Sequence, residues 1–329
     1  MGRFAAIACV LAGCYSARAF PGAPCTSEGA CPSGLVCIAT LCELPGGGGD
    51  DTDAAATQRN DGELIDAAPD AEGPAGPNGW HAATHVPGVN TSSTETDPCF
   101  TDDDLTIVFA SDRPGGTGGI DLYIGTRGNA TQPFTVRELS ELDSTAADQS
   151  PEISTDGLTI YFSTTRGGTG QIYTATRAST SDPFGAPAEV AAMSKNPDNL
   201  KNAISIGVGS STIAIVVFDK GTGDNEADGY EYSSSAWADE ENLDGAKGGP
   251  LPSDFTAPSL TPDAATTFYQ SGSPGQIFMI TYDEPSDTFS APVNISELNL
   301  GTRDAAPEIS AGGTHLAFER DGDLFEATK

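Results

Sequence analysis

The chain has 329 residues, of which 47 are Asp or Glu and only 15 are Lys or Arg, for a formal charge of −32. Such a surface does not neutralise phosphates, which excludes a nucleic-acid-binding protein and a basic patch for anionic lipid heads. Glycine (39) and proline (23) interrupt the chain too often for long helices, no apolar run reaches the roughly 18 residues of a membrane span, and the length allows about two domains.

Residues 1–13 carry one positive charge at Arg3 and then the apolar stretch Phe4 to Gly13. That pattern is an export signal rather than a structural helix. Its end, Leu11-Ala12-Gly13-Cys14, resembles the bacterial lipobox. The resemblance implies cleavage before Cys14, where small residues admit the chain to the peptidase and the thiol takes a diacylglycerol. Ala17-Arg18-Ala19 fits an ordinary secretory cleavage site and keeps simple secretion open as the alternative. In lipoproteins an Asp after the cysteine favours inner-membrane retention; Tyr15 stands there, so the outer membrane is expected. With so acidic a chain, the acyl group is the only expected hold on a bilayer.

Residues 14–43 form a cysteine-rich module. Cys25, Cys31, Cys37 and Cys42 are separated by five, five and four residues. In an exported chain an even, dense set reads as two disulfides, with all three pairings open. A four-thiolate zinc site is the competing reading, but two of the three intervals exceed its usual spacing. So short a segment buries no useful core, so the bridges are expected to hold it together. Residues 44–79 hold eight acidic residues, one Arg and no aromatic residue. They are expected to be a disordered acidic linker of Gly, Ala, Asp and Pro, spanning about 30–35 Å as a loose coil.

The remainder, 80–329, is a repeat. Pro151-Glu-Ile153-Ser154-Thr-Asp156-Gly157, followed by Ile160-Tyr-Phe162, returns around Phe100, Ile204, Leu260 and Ile309 at gaps of 53, 51, 56 and 49 residues. Each copy reads as four short strands: an apolar-Ser/Thr piece, a turn at Asp-Gly or its equivalent, an apolar strand, and, after a Gly-rich hairpin, a third strand such as Leu122-Tyr123 or Ile172-Tyr173. The fourth begins at Phe134, Phe184, Trp237 or Phe289. Four strands at this period make a propeller blade. The last copy ends after its third strand, while a spare strand, Trp80 to Val86, stands at the start. The prediction is an all-β, five-bladed β-propeller in which the N-terminal strand completes the last blade and hides its edge.

Phe109-Ala-Ser-Asp112-Arg113, the following glycines and Asp121-Leu-Tyr123 resemble the TolB-type WD40-like repeat of bacterial envelope proteins, which carries Ser-Pro-Asp-Gly, Phe-x-Ser-Asp-Arg, Gly-Gly and Asp-Ile-Tyr. Phe162 to Arg166 with Gln171-Ile-Tyr173 follows it less fully, and the third and fifth copies depart further. That family is often six-bladed, which makes six the alternative count. The resemblance implies a protein-docking platform in the envelope.

Asp97, Asp148, Asp198, Asp254 and Asp304 recur just before the first strands. They are the candidate binding residues at the channel mouth, as turn caps or as a ring holding calcium; no other cofactor or metal is expected. Asp224 to Gly229 resembles half a calcium loop, but Ser235 replaces its closing Glu, so an acidic hairpin tip is expected. Arg113 and Arg166 are expected to bond between blades, Cys99 to be a buried inert thiol, and His81, His85 and His315 to be structural. Nucleophile elbow, phosphate loop and dinucleotide fingerprint are absent. The expected function is non-catalytic binding of a protein or glycan. The alternatives are a glycan hydrolase with paired channel carboxylates and a structural surface protein without a dedicated ligand.

Overall fold

The computed structural model describes residues 74–194, 252, 254–261, 265–283, 288–310 and 312–329, and the backbone of strands at 36–38, 41–43 and between 200 and 242. The chain divides into two units, 1–70 and 71–329. In the first, β1 (Val36–Ile38) and β2 (Leu41–Glu43) form a hairpin that sets Cys37 opposite Cys42 along the backbone. Cys14, the expected lipidation site, and Cys25 and Cys31 lie outside the described residues. The expected two-disulfide module therefore has no support: among the described residues the one cysteine with a described side chain, Cys99, is free.

The second unit begins with β3 (Thr84–His85). Next come β4 (Glu95–Phe100), β5 (Thr106–Ser111), β6 (Asp121–Thr126) and β7 (Thr135–Glu138), which form one antiparallel sheet. A second sheet is β8 (Asp148–Ile153), β9 (Thr159–Thr164), β10 (Gln171–Thr176) and β11 (Ala188–Glu189). A third is β12 (Leu200–Val208), β13 (Thr212–Asp219), β14 (Asn225–Ser233) and β15 (Ala236–Asn242). The next holds β16 (Thr256–Leu260), β17 (Thr266–Ser271), β18 (Gln276–Asp283), β19 (Thr288–Phe289) and β20 (Val293–Asn294). The last joins β21 (Asp304–Ile309), β22 (His315–Arg320) and β23 (Asp323–Thr328) to β3.

The first strands β4, β8, β12, β16 and β21 each touch the next, and β21 touches β4, so the sheets stand around an axis as a β-propeller with four-stranded blades. Four sheets keep the expected four strands. The sheet after Asp254 does not: its outer edge is split into β19, paired at Tyr282 and Asp283, and β20, paired at Phe278 and Met279. Pro292 stands at the break, where it has no N–H for the ladder. Phe289, expected to anchor this edge, is 43% exposed, whereas its counterparts Phe134 and Phe184 are buried.

Local chemistry explains the repeat. The hydroxyl at the end of each first strand caps the turn behind it: Thr106, Thr159, Thr266 and His315 donate their N–H to the oxygens of Thr101, Ser154, Thr261 and Ser310. The fourth turn residue has positive φ, as in Gly157 and Gly313 (both 70°) and Asp104 (55°), a conformation glycine adopts at no steric cost. The same first strands carry a β-bulge. Asp97, Ser150, Ala257 and Ala306, each just before a proline, have φ of 45–51°, and the register slips there in all four ladders.

Between sheets the apolar faces interlock. Val108, Leu122, Ile124 and Leu142 pack on Ile153, Ile160 and Phe162. Phe268 and Ile277 meet Leu316 and Phe318. Val86, Ile107, Phe109 and Phe134 close on Ala317 and Leu324. The N-terminal strand joins the last sheet as expected: Phe325 pairs with His85 and Glu326 with Thr84, and the ladder extends through His81 N–H to Thr328 and Val86 N–H to Leu324. The described residues of this unit begin at 74, within the predicted linker. Both nitrogens of Asn78 donate to the Glu297 carboxylate at 2.7 Å, and Gly76 N–H bonds the Trp80 carbonyl. Residues 74–79 are therefore part of the clasp rather than of a linker.

The junction of last and first sheets carries a charge as well. His315 bonds Asp104 through Nδ1 (2.9 Å) and Glu326 through Nε2 (3.1 Å). Burial by itself lowers its pKa, but the hydrogen bonds and charges of the two carboxylates outweigh this and lift it to about 9. A raised folded-state pKa stabilises fully below the ordinary value near 6.5 and is lost as pH climbs through 9. The thermal midpoint is expected to fall between pH 6.5 and 10 by an amount equivalent to about 3 kcal/mol. The His315→Gln variant should lack that fall; an equal fall in both proteins refutes the assignment. Among the described residues, no helix is long and apolar enough to cross a membrane.

Candidate functional site

The first strands surround a channel, and their bulges shape it. Its waist is a cavity of about 30 Å³ lined by Pro98, Pro151, Pro258 and Pro307 with Glu152 and Glu308. It opens into a mouth of about 230 Å³ bordered by Thr94, Thr96, Asp97, Gln149, Gln270, Arg303 and Glu319. At the mouth, Glu319 accepts the Thr96 hydroxyl at 2.9 Å and pairs with Arg303. Asp97 accepts the N–H and hydroxyl of Ser150, both at 3.1 Å, from the neighbouring blade. Burial raises the Asp97 pKa, the Ser150 hydroxyl bond opposes it, and the nearby Glu319 charge adds to the rise.

Of the residues that follow the bulge prolines, Glu152 and Glu308 line the waist, while Cys99 and Ser259 bond the neighbouring blade. Cys99 Sγ accepts the Ile153 N–H at 3.4 Å, and Ser259 Oγ accepts the Ile309 N–H at 2.9 Å. The two side chains do the same work between different blades. Glu152 and Glu308 occupy the corresponding positions, and ligand atoms of Cys99, Glu152 and Glu308 lie within 4.8 Å of one another. Burial, then the Glu152 charge, holds the Glu308 carboxyl well above the ordinary carboxylate range. Burial, then the same charge, pushes the Cys99 thiol up. Glu308 and Cys99 are thus held towards their protonated forms, and a buried thiol is a poor nucleophile.

Among the described residues, the predicted aspartates take different places. Asp148 and Asp304 are buried and salt-bridged, Asp148 to Arg166 at 2.7 Å and Asp304 to Arg320 at 2.6 Å. Their structural counterpart in the first blade is Glu95, paired with Arg113 at 2.9 Å, rather than Asp97. All three acids lie three residues before a bulge proline, which is the spacing that identifies the set. Asp254 binds Ser271 Oγ and Gly272 N–H at a turn, and Asp198 lies outside the described residues. The arginines act both within a blade and on the connection that enters it from the preceding blade. Each stacks over two rings of its own sheet, as Arg113 does over Phe109 and Tyr123, and donates to the carbonyl of the incoming connection at Val89, Leu142 or Leu298. Glu226 and Asp228, expected at an acidic hairpin tip, sit within strand β14. His85 lies 3.3 Å from Asp323 on the closing strand. Glu152, Glu308 and Glu319 went unmarked in the sequence, although the Pro-Glu pairs at 151–152 and 307–308 recur there.

No family model matches this chain, and no curated protein matches it. Solved structures do. TolB from Acinetobacter baumannii is 15% identical with a TM-score of 0.44, over 73% of this chain and 56% of that one. This chain therefore spans little more than half of that protein. The putative TolB from Agrobacterium tumefaciens is 16% identical with a TM-score of 0.41, over 69% and 70%. An alpha-L-arabinofuranosidase from Podospora anserina, in complex with cellotriose, is 12% identical with a TM-score of 0.49, over 76% and 96%. Similarity this remote assigns neither ligand nor activity to this chain.

Proposed function

We propose that this protein is an exported, lipid-anchored envelope propeller of five blades, counting the split sheet as one, that binds a protein or glycan at its channel mouth without turning it over. The observation that carries the reading is the step in channel size. A mouth of about 230 Å³ sits just below the roughly 300–1,000 Å³ of small-molecule sites and accepts one side chain or sugar substituent. The waist beneath it, at about 30 Å³, holds a water or two rather than a sugar ring. Glu152 and Glu308 therefore have no room for a glycoside between them. The mouth offers a guanidinium, two carboxylates and two amides within one concavity, a set suited to polar recognition.

The test is crosslinking in intact envelopes followed by capture of the full chain. A partner recovered with the wild type is expected to drop about tenfold with Arg303→Glu, while a panel of chromogenic glycosides stays unhydrolysed. Recovery unaffected by Arg303→Glu overturns the binding site. Glycoside turnover that vanishes in Glu308→Gln replaces the reading with a hydrolase.

A further inference from the structure

We infer that Asn78 is a site of spontaneous deamidation, that the closed ring holds the reaction off, and that the carboxylate it leaves keeps the closing strand from docking again. Asn78-Gly79 is the one Asn-Gly step in the 329 residues. Glycine has no β-carbon, so its amide nitrogen is the one that a preceding carboxamide reaches most readily. In the reaction the Gly79 nitrogen bonds Asn78 Cγ and the Cγ–Nδ2 bond breaks. Ammonia leaves, carrying the proton of the Gly79 N–H. Water then opens the succinimide ring at either carbonyl, giving aspartate or isoaspartate. Water is the only co-reactant.

The closed ring occupies both reacting groups. Gly76 to Gly79 form a turn, with Pro77 at its second position and Gly79 at a φ of 91°. Gly79 donates its N–H, on the attacking nitrogen, to the Gly76 carbonyl at 2.9 Å, and Gly76 donates to the Trp80 carbonyl at 2.8 Å. The Asn78 carboxamide is held by Glu297, with Nδ2 2.7 Å from Oε2. Glu297 also accepts the N–H groups of Asn78 and Trp80. It packs so close to the turn that a β-carbon on Gly76 would lie 2.6 Å from Glu297 Cβ. The reaction therefore waits on local opening. Strand β3 is paired with β23 at two positions, His85 and Thr84, so few ladder bonds oppose that opening.

Once the amide is lost, closure is opposed. An oxygen takes the place of Nδ2, which stood 2.7 Å from Glu297 Oε2 and 3.4 Å from the Asn294 carbonyl, and no hydrogen lies between them. Glu297 is ionised in the closed ring: burial works against its charge, but bonds from its own N–H and from Asn78 hold its pKa below the ordinary value. Two carboxylates, both acceptors only, then meet where a charge-assisted bond stood. Isoaspartate adds a methylene to the main chain and pulls apart the two turn bonds as well. The nearby asparagines 90, 294 and 299 are likewise held by side-chain bonds, but Thr91, Ile295 and Leu300 follow them, and a β-carbon on the next residue hinders the attack.

The experiment is peptide mapping by mass spectrometry on the full chain held at mildly alkaline pH, native and in urea, beside limited proteolysis of wild type, Asn78→Asp, and Asn78→Asp combined with Glu297→Gln. Residue 78 should gain one dalton about tenfold faster in urea than in the native protein. Asp156-Gly157 and Asp321-Gly322 pass through the same succinimide without a change of mass, so the gain reports the asparagine. Asn78→Asp should be cut within residues 74–86 about tenfold faster than wild type. Adding Glu297→Gln, which returns a donor to face the new carboxylate, should restore most of the resistance. Should Asn78→Asp misfold, the deamidated fraction of aged wild type, separated by charge, takes its place. Equal rates of mass gain in native and unfolded protein overturn the protection, and no gain in urea overturns the site. Cleavage of Asn78→Asp at the wild-type rate overturns the effect on closure.

Discussion

Replacing Arg113 with alanine is expected to destabilise the protein by about 3–5 kcal/mol. Its partner Glu95 is fully buried, and after truncation that carboxylate keeps only the Thr91 and Ser111 hydroxyls and the Thr91 N–H as donors. The same truncation frees the Val89 carbonyl and removes the cation from the faces of Phe109 and Tyr123. The size of the effect comes from stranding a buried charge, so removing both charges should behave differently. Arg113→Met combined with Glu95→Gln is expected to recover most of the loss. Urea denaturation of the three proteins measures this. A single-variant loss below about 1 kcal/mol would reduce the pair to an ordinary surface ion pair.

Trp80→Ala is expected to cost a similar amount, about 3–5 kcal/mol. Trp80 is 1% exposed, meets Phe268 edge-on with ring centroids 5.9 Å apart, and packs with Ile277, Leu298 and Phe318 between the last two sheets. The strand it introduces contributes few ladder bonds, so the ring is sealed mainly by this side chain and by Val86. Loss of the indole should therefore also expose residues 74–86 to proteolysis, well before global unfolding. Limited proteolysis alongside denaturation checks both halves. Unchanged cleavage together with a loss under about 1 kcal/mol would mean that the closing strand is held by its backbone alone.

The architecture was legible because its determinants are local. A Ser or Thr hydroxyl three residues before a positive-φ position, as at Ser154 and Gly157, sets a turn wherever it occurs, and alternating apolar residues follow from the pleat. The spare strand at Trp80 could be matched to the incomplete last copy by counting. The candidate site was read less well, and the bulge is the reason. An extra residue at Asp97, Ser150, Ala257 and Ala306 changes which side chains face the channel. Asp97 consequently turns to the mouth while Glu95 takes the position matching Asp148, although the Asp letters alone suggest the opposite.

The amino-acid order by itself determined that this chain makes a ring of short antiparallel sheets closed by its own N-terminal strand, because turns, caps and strand periodicity act over a few residues. The tertiary structure alone decided which charges meet. Arg113 and Arg166 stand four residues after Phe109 and Phe162, but Arg320 stands two after Phe318; its guanidinium nonetheless stacks on the equivalent rings and pairs with the equivalent acid, Asp304. A long flexible side chain reaches one buried carboxylate from more than one chain position, so its partner is set by the space between strands. The same holds for Asp121, Asp143 and Asp148, which are brought to one point only by the docking of one blade on the next.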